Sequence, residues 1–274
     1  MRVAAVQCDV QLANLSANLE TFDRLLAVAI DRGARCVVFP ECLLTGYAFD
    51  SREEACEAAI STEHLDAVSQ IIRSRGNDDT VVTLGTLLLE NDRLRNSAIA
   101  ITGAGIVARY DKIHLPHLGV DRFVDRGESP YAAPMVGNFR LGLAICYDCS
   151  FPEPMRVLGL CGADVVALGT NWPVAAARTA EVVPPARSME NHYYFIAANR
   201  IGTERGFEFC GKSSICGPDG AVLAAVEDDR ETVLTADIDL SVARNKRIER
   251  TKGAHVIDRM ADRQPQFYGP LSSD

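Results

Sequence analysis

Short apolar runs rich in β-branched residues alternate with longer amphipathic stretches, and this alternation restricts the fold of the chain more than any other feature. Residues 3–10 and 36–39 are predicted to be buried strands. Between them, residues 14–32 carry leucine and phenylalanine at helical spacing, and a second helix is predicted over 53–74. A helix between two buried strands is typical of α/β proteins, in which helices cover the sheet faces.

The rest of the chain is richer in strands. Further strands are predicted at 80–89, 96–101, 106–110, 140–145, 164–168, 193–198, 206–216, 221–225 and 231–238, and further helices at 153–161 and 174–191. Gly76 and Asn77 are predicted to end the helix over 53–74, and residues 111–137 to form a long polar loop of the kind that carries function. Helices early and strand pairs later predict an α/β protein with mixed sheets, packed back to back with helices outside.

A single domain is predicted over residues 1–274, because no linker, low-complexity segment or internal repeat interrupts the pattern. The last residues, about 244–274, are polar and have little apolar periodicity. We expect this tail to pack on a partner subunit, since it lacks the apolar residues needed to form a core of its own.

Composition narrows the classes of partner. The chain has 28 Lys and Arg against 37 Asp and Glu, a formal charge of −9, which argues against a nucleic-acid partner. No apolar run approaches the roughly 20 residues that span a bilayer, and the start lacks a signal peptide, so no membrane association is expected. The 9 cysteines follow no disulfide framework. Reduced thiols in a cytoplasmic protein are therefore predicted.

Three predicted strands end in a side chain that can take part in catalysis. Glu41 follows the strand at 36–39, Lys112 follows the strand at 106–110, and Cys146 follows the strand at 140–145. Sites in α/β sheets gather outside the carboxyl ends of strands, so a carboxylate, an ammonium and a thiol are expected to share one crevice.

The segments around these residues resemble the three catalytic motifs of the nitrilase superfamily of carbon–nitrogen hydrolases. They are VVFPECLLTGY at 37–47, RYDKIHLP at 109–116 and LGLAICYDCSFPEPMR at 141–156. Further similar segments are AVQCDV at 5–10, GTNWP at 169–173, RSMENHYYFIAANRIG at 187–202 and GKSSICGPDG at 211–220. The resemblance implies a four-layer α-β-β-α sandwich, usually dimeric, with a thiol-based site that cleaves nonpeptide C–N bonds without a metal or organic cofactor.

By this resemblance, Cys146 is the nucleophile, Glu41 the general base and acid, and Lys112 the group that stabilises the oxyanion. Thiol chemistry is consistent with these roles, because a nearby ammonium favours the reactive thiolate and a carboxylate can accept the thiol proton. The backbone N–H of Tyr147, directly after the nucleophile, is suited to be a second oxyanion donor.

The second glutamate of many family members is not found at the expected spacing after Lys112. Asp121 is the nearest acid, and it is predicted to orient Lys112 or to position substrate. The alternative is that it simply pairs with Arg122 or lies exposed in the loop, and Glu128 is the weaker candidate for the role. Pocket-lining roles, with ordinary packing as the alternative in each case, are predicted for Tyr47, Asn171 and Trp172.

Several other functions compete. Cys146 and Cys149 form a C-x-x-C pair, which would fit a thiol–disulfide oxidoreductase. A Cys–His dyad with His114, a zinc site and a binding protein without turnover are less favoured. Within the family, Tyr147-Asp148 after the nucleophile resembles the amidase and carbamoylase branches more than the Trp-Glu of nitrilases. The prediction is therefore hydrolysis of a small linear amide or N-carbamoyl compound, with nitrile hydrolysis as the alternative, in a homodimer or higher homo-oligomer formed through 151–160.

Overall fold

A computed structural model describes residues 1–75 and 79–271 of the chain. Its strands are β1 (Arg2–Gln7), β2 (Cys36–Val38), β3 (Val81–Glu90), β4 (Arg93–Thr102), β5 (Gly105–Asp111), β6 (Met135–Val136), β7 (Phe139–Ile145), β8 (Val165–Thr170), β9 (Tyr194–Asn199), β10 (Thr203–Glu204), β11 (Phe207–Glu208), β12 (Ser214–Cys216), β13 (Val222–Ala225), β14 (Thr232–Asp237), β15 (Arg247–Thr251) and β16 (His255–Asp258). Its helices are α1 (Leu15–Asp31), α2 (Arg52–Ala58), α3 (His64–Ser74), α4 (Pro152–Leu160), α5 (Ala177–Asn191) and α6 (Leu240–Arg244).

The larger strands form two six-stranded mixed sheets. The first has the order β14-β1-β2-β3-β4-β5, and the second has the order β13-β12-β9-β8-β7-β6. Strands β1, β2 and β3 run parallel, as do β7, β8 and β9, whereas the outer strands pair antiparallel.

Alternation along the strands explains the layering. In β1, Val3 and Ala5 belong to the core between the two sheets, whereas Ala4 and Val6 pack with the apolar faces of α1 and α3. Successive side chains of a strand point to opposite faces, so one strand serves both cores. Helices α4 and α5 cover the outer face of the second sheet. The predicted four-layer α-β-β-α sandwich is thereby confirmed.

Some element boundaries differ from the sequence prediction. The continuous helix expected over 53–74 is wrong, because Ile60 exchanges backbone hydrogen bonds with Leu87 and Leu89 of β3 and so separates α2 from α3. The predicted stop at Gly76 and Asn77 lies outside the described residues.

The later part of the chain also departs from the prediction in its details. The strand expected over 206–216 is divided into β11 and β12. The tail is more regular than expected, since β15 and β16 form a hairpin. Its short, largely exposed strands bury little apolar surface, which explains the weak periodicity.

Two glycines let the sheets approach the segment that carries Glu41. A Cβ atom at Gly169 of β8 would lie 2.9 Å from the Glu41 backbone nitrogen, and one at Gly85 of β3 would lie 2.5 Å from the Glu41 Cα. Because both contacts involve backbone, neither position has room for a larger residue. The carboxyl end of β2 is thus held between both sheets. In the described part of the chain, no helix has the length and apolar character of a membrane span.

Candidate active site

Glu41 lies directly beyond β2 and is almost completely buried. Its Oε1 accepts hydrogen bonds from Lys112 Nζ at 2.7 Å and from Asn96 Nδ2 at 2.8 Å. Its Oε2 has no hydrogen-bond partner among the described residues. Burial raises the pKa of Glu41, and the Asp121 charge adds to this effect, although Lys112 acts in the opposite direction. Glu41 therefore has a free oxygen and a raised affinity for a proton, as a general base requires.

Lys112 follows β5 and is buried between two carboxylates. Its Nζ lies 2.7 Å from Glu41 Oε1 and 2.6 Å from Asp121 Oδ2, and its backbone N–H donates to the Asn96 carbonyl at 2.9 Å. Burial alone would lower the pKa of Lys112, but the charges of Asp121 and Glu41 raise it well above its ordinary value. The side chain is thus a fixed ammonium rather than a proton donor.

Asp121 lies in a 3-10 turn, Gly119–Arg122, within the long polar loop. Its Oδ2 accepts from Lys112 and from the Tyr47 hydroxyl at 2.8 Å, and its Oδ1 accepts from Asn96 Nδ2 at 3.0 Å. Burial raises the pKa of Tyr47, so its hydroxyl stays protonated and can donate. Asp121 therefore holds Lys112 in place.

The alternatives considered for Asp121 have other partners. Arg122 donates to the carbonyl oxygens of Gly119 and Phe49, at 3.0 and 2.8 Å, rather than to Asp121. Glu128 is exposed and pairs with Arg93. Glu128 is thus engaged in a surface ion pair away from Lys112.

Asn96 is the site residue that the sequence analysis missed. It lies in β4, and its single amide group donates to both Glu41 and Asp121. Its Oδ1 lies 3.6 Å from the Cys42 thiol, which donates to it. Asn96 lies in the polar first half of β4, between Arg95 and Ser97, so no local signal set it apart from its neighbours.

Cys146 begins a 3-10 turn, Cys146–Ser150, directly after β7. Its φ of 42° lies in the left-handed region, which is strained for a residue other than glycine and recurs at functional sites. Only 6% of the residue is exposed. Strand β7 thus delivers a nearly enclosed sulfur on a sharp turn.

Burial raises the pKa of the Cys146 thiol to about 12, and the Glu41 charge also raises it, whereas Lys112, the Thr170 hydroxyl and the Asn171 backbone N–H lower it. The sequence left two possibilities open, a thiolate favoured by the ammonium and a thiol whose proton Glu41 accepts. This raised pKa favours the second, because desolvation outweighs the nearby positive charge. A thiol in this state needs a base before it can act as a nucleophile.

Asp148 secures the turn that carries Cys146. It is fully buried, its Oδ2 accepts from the Ile145 backbone N–H at 2.9 Å, and its Oδ1 lies 2.8 Å from both His114 Nδ1 and the Tyr131 hydroxyl. His114 also stacks on Phe151, with ring centroids 4.2 Å apart. His114 is therefore engaged with Asp148 and not placed as a base for Cys146.

The remaining predicted residues have diverse environments. Tyr147 is partly exposed and packs edge-on against Phe151. Trp172 is buried in the core between the sheets, and its backbone bonds with Asn199. Asn171 is buried, and neither side-chain polar atom has a partner within residues 1–75 and 79–271. Because the Asn171 backbone N–H acts on the Cys146 thiol, the unpaired amide of the same residue is a candidate group for binding a polar substrate.

Cys149, the second cysteine of the C-x-x-C pair, is completely buried, and burial raises its pKa well above the ordinary value. A thiol in this state is a poor partner for exchange with an external disulfide. The described residues contain no group of three or more His, Cys, Asp or Glu side chains arranged to hold a metal ion.

Comparison with known proteins identifies the family to which the chain is similar. Residues 2–248 match the carbon-nitrogen hydrolase family. A protein named nitrilase from Pyrococcus abyssi is 34% identical over 268 residues, which cover 98% of this chain and 99% of that protein. An (R)-stereoselective amidase from a Pseudomonas species is 30% identical over 207 residues, or 74% of this chain and 73% of that protein.

Solved structures agree in fold. The NitN amidase from Nesterenkonia sp. AN1 superimposes with a TM-score of 0.83 at 25% identity, covering 99% of each chain. A mutant of that amidase, which carries the acetamide moiety of fluoroacetamide on its active site cysteine, gives a TM-score of 0.82 at 25% identity and covers 98% of this chain and 96% of the other.

Proposed function

The chain belongs to the carbon–nitrogen hydrolase family, and we propose that it hydrolyses the C–N bond of a small linear amide or N-carbamoyl compound through a thioester on Cys146. The observation that carries this proposal is the buried ammonium of Lys112, held between Glu41 and Asp121 and close enough to influence the Cys146 thiol. A protonated thiol, a base with a free oxygen and a fixed cation are the groups that acyl transfer requires.

In the first step, Glu41 Oε2 takes the proton from the Cys146 thiol as the sulfur attacks the substrate carbonyl carbon. The C–S bond forms, and the carbonyl π electrons move to oxygen. Lys112 Nζ and the Tyr147 backbone N–H stabilise this oxyanion. Donors of this kind each contribute about 3–4 kcal/mol to the transition state. Because Lys112 is already oriented by two carboxylates, it needs no rearrangement as the charge develops.

In the second step, the oxyanion collapses and the C–N bond breaks. Glu41 gives its proton to the departing nitrogen, so ammonia or an amine leaves and an acyl thioester remains on Cys146. Glu41 then removes a proton from water, which attacks the thioester carbon. The C–S bond breaks, the thiol recovers its proton and the acid is released; a carbamoyl group ends as carbon dioxide and ammonia. One carboxyl group thereby serves as base and acid in turn.

The burial of the candidate site favours a small substrate. Glu41, Lys112, Cys146 and Asn171 are all buried, so an extended polypeptide has no surface on which to reach the sulfur. The unpaired amide of Asn171 supplies both a donor and an acceptor for a polar acyl or amide group. These features favour a short amide whose reactive carbonyl enters the site end-on.

Nitrile hydrolysis by the same three residues is the second candidate. The similarity to the Pyrococcus abyssi protein named nitrilase favours it, whereas the Tyr147-Asp148 pair and the fold match to an amidase favour amides. Both reactions begin with attack by Cys146. The attack forms a thioimidate from a nitrile, whereas it forms a tetrahedral oxyanion from an amide. The two candidates are therefore distinguished by whether the protein hydrolyses amides or nitriles.

We also infer that the chain forms homodimers through α4 and α5. Large apolar side chains are exposed on these helices and in the tail beside them: Val157, Leu160, Val182, Met189, Phe267 and Leu271. Exposed apolar side chains gathered on one face are typical of protein interfaces. In this structure the tail contacts its own α4, since Arg156 lies 3.4 Å from the Met260 sulfur. Measurement of the mass in solution tests this, with Leu160→Asp expected to yield monomer.

The activity is tested by ammonia release from acetamide, propionamide, acrylamide, N-carbamoylglycine and propionitrile. The proposal expects turnover of at least one amide or carbamoyl compound and an acyl adduct on Cys146 by mass spectrometry, both lost in Cys146→Ala. Turnover of propionitrile alone would instead favour the nitrile candidate. A Cys146→Ala variant that retains turnover would contradict the thioester mechanism.

A further inference from the structure

A buried carboxylate other than Glu41 and Asp121 holds the backbone that follows Glu41. Glu204, in β10, is only 5% exposed. Its Oε2 accepts the backbone N–H groups of Tyr47 and Ala48, at 2.9 and 2.6 Å. Two consecutive N–H groups on one carboxylate oxygen fix the direction of the chain at that point.

The turn before Tyr47 leaves space for the Glu204 side chain. Gly46 has a φ of 82°, and a Cβ there would lie 2.7 Å from the Leu12 Cα and 3.2 Å from Glu204 Oε1. A side chain here would be strained by this φ and would not fit the space, so glycine is favoured. The sequence therefore accommodates Glu204 at the expense of a side chain at residue 46.

Arg200 holds Glu204 from the other side. The Arg200 guanidinium is buried, donates to Glu204 Oε1 at 2.8 Å, and also donates to Asp9 Oδ1 at 2.9 Å and to the Val10 carbonyl at 2.7 Å. It stacks over Phe209, with its central carbon 4.3 Å from the ring centroid. Because Asp9 and Arg200 follow strands of different sheets, this ion pair links both sheets to Glu204.

Tyr47 transmits the position of Glu204 to the Asp121 turn through four contacts. One of them is a hydrogen bond from its hydroxyl to the Leu118 carbonyl at 3.1 Å. The Val120 backbone N–H donates to the Tyr47 carbonyl at 2.8 Å, and the Tyr47 hydroxyl donates to Asp121 at 2.8 Å. The Tyr47 ring packs closely against Gly119, where a Cβ would be only 2.2 Å from a ring carbon. Movement of Tyr47 must therefore move Asp121, which holds Lys112.

We propose that Glu204 is a positioning residue for catalysis, which acts through Tyr47 and Asp121 to hold Lys112 at the oxyanion. This inference rests on the proposed function, because it assumes that Lys112 stabilises the reacting carbonyl. A misplacement of about 1 Å at such a group lowers a rate by roughly 100-fold. Glu204 touches neither Lys112 nor Cys146 in the described contacts, so its effect must pass through the loop.

The test combines Glu204→Gln and Tyr47→Phe. Glu204→Gln retains the shape but turns an NH₂ group or a neutral oxygen toward Arg200. We expect kcat for the best amide of the panel to fall by about 10- to 100-fold, with KM changed less than threefold. Tyr47→Phe removes the two hydroxyl contacts, with Asp121 and with the Leu118 carbonyl, but keeps the backbone and ring contacts, and so lowers kcat by a smaller factor. Because both act along one path, the double variant should lose less than the product of the two factors.

Asp164→Asn is the matched control. Asp164 is also a buried carboxylate that accepts a backbone N–H, from Arg140 at 2.9 Å, and pairs with an arginine, Arg244, at 3.0 Å. It precedes β8 and so lies at the end of the sheet opposite the site. Asp164→Asn should lower the unfolding midpoint about as much as Glu204→Gln while kcat stays within twofold.

Alkylation of Cys146 by iodoacetamide is the second readout, because the Lys112 charge lowers the pKa of Cys146, so displacement of Lys112 slows alkylation without any need for amide hydrolysis. If the wild-type protein hydrolyses nothing in the panel, the proposed function fails, and the alkylation rates of the same variants still test the relay. An unchanged kcat or alkylation rate in Glu204→Gln would overturn the inference. Fully multiplicative effects of Glu204→Gln and Tyr47→Phe, or an equal loss in Asp164→Asn, would overturn it as well.

Discussion

Replacement of Glu41 by glutamine tests whether the resting nucleophile is a thiol that depends on a base. The pKa of Cys146 is raised to about 12. At pH 7 this leaves about one sulfur in 10⁵ as thiolate, equivalent to about 7 kcal/mol of unfavourable ionisation. Glu41 avoids this cost by accepting the proton during attack, and general bases of this kind contribute about 10²–10⁴ in rate. We therefore expect Glu41→Gln to lower kcat/KM at pH 7 by about 10⁴-fold.

The pH dependence of kcat/KM is a more specific test of this reasoning than the rate at pH 7. Without Glu41, reaction proceeds only through preformed thiolate, so the residual kcat/KM should rise about tenfold per pH unit between pH 7 and 10, until the thiol titrates. The wild-type rate should be far less steep in that range, because Glu41 removes the proton. Removal of the Glu41 charge also lowers the pKa of Cys146, since that charge raises it. Ammonia release and iodoacetamide alkylation, both measured from pH 6 to 10, report the two slopes.

Glu128→Gln is the control for this experiment, because Glu128 is an exposed glutamate that pairs with Arg93 near the same loop. It should retain the wild-type rate and pH profile. A Glu41→Gln variant with a pH-independent residual rate, or with less than a tenfold loss at pH 7, would refute the reasoning that burial keeps Cys146 protonated.

Three other variants probe the same arrangement. Asp121→Asn should shift the acidic limb of kcat/KM to lower pH, because the Asp121 charge raises the pKa of Glu41, and a pH-rate profile checks this direction; an upward shift would contradict the assignment. Lys112→Met should cost about 3–5 kcal/mol of unfolding free energy at pH 7, since two buried carboxylates lose their counterion. Part of this loss should return at pH 5, because burial raises the pKa of Glu41 and this group can take up a proton there; urea unfolding at both pH values measures it. Cys149→Ser should retain amide hydrolysis, whereas loss of hydrolysis together with a disulfide exchange activity in the wild type would favour the oxidoreductase reading.

The sequence pattern predicted the layers of the fold and the ends of the strands well. The spacing of apolar residues along a strand indicates whether one or both of its faces are buried. The alternation in β1, with Val3 and Ala5 facing one layer and Ala4 and Val6 the other, illustrates this. The break between α2 and α3 was invisible, because it depends on hydrogen bonds between Ile60 and a strand far along the chain.

The candidate site divides in the same way. Its acid, amine and thiol could be identified because each directly follows a buried strand and lies in a recognisable motif. Asn96 and Glu204 could not, since each is one polar residue among many until the register of β4 and the contact between the two sheets place it against a partner. Their importance is a property of distance in space rather than of spacing along the chain.

The order of residues alone determined which chemical groups this protein presents: a carboxyl, an ammonium and a sulfur at the ends of strands. Tertiary structure alone decided their charge states. Sequence reasoning left open whether the ammonium of Lys112 makes Cys146 a thiolate or whether Glu41 accepts the thiol proton. The folded protein buries the sulfur so completely that its pKa rises to about 12. The physical reason is that desolvation depends on everything that surrounds an atom, and only the packed fold specifies that environment.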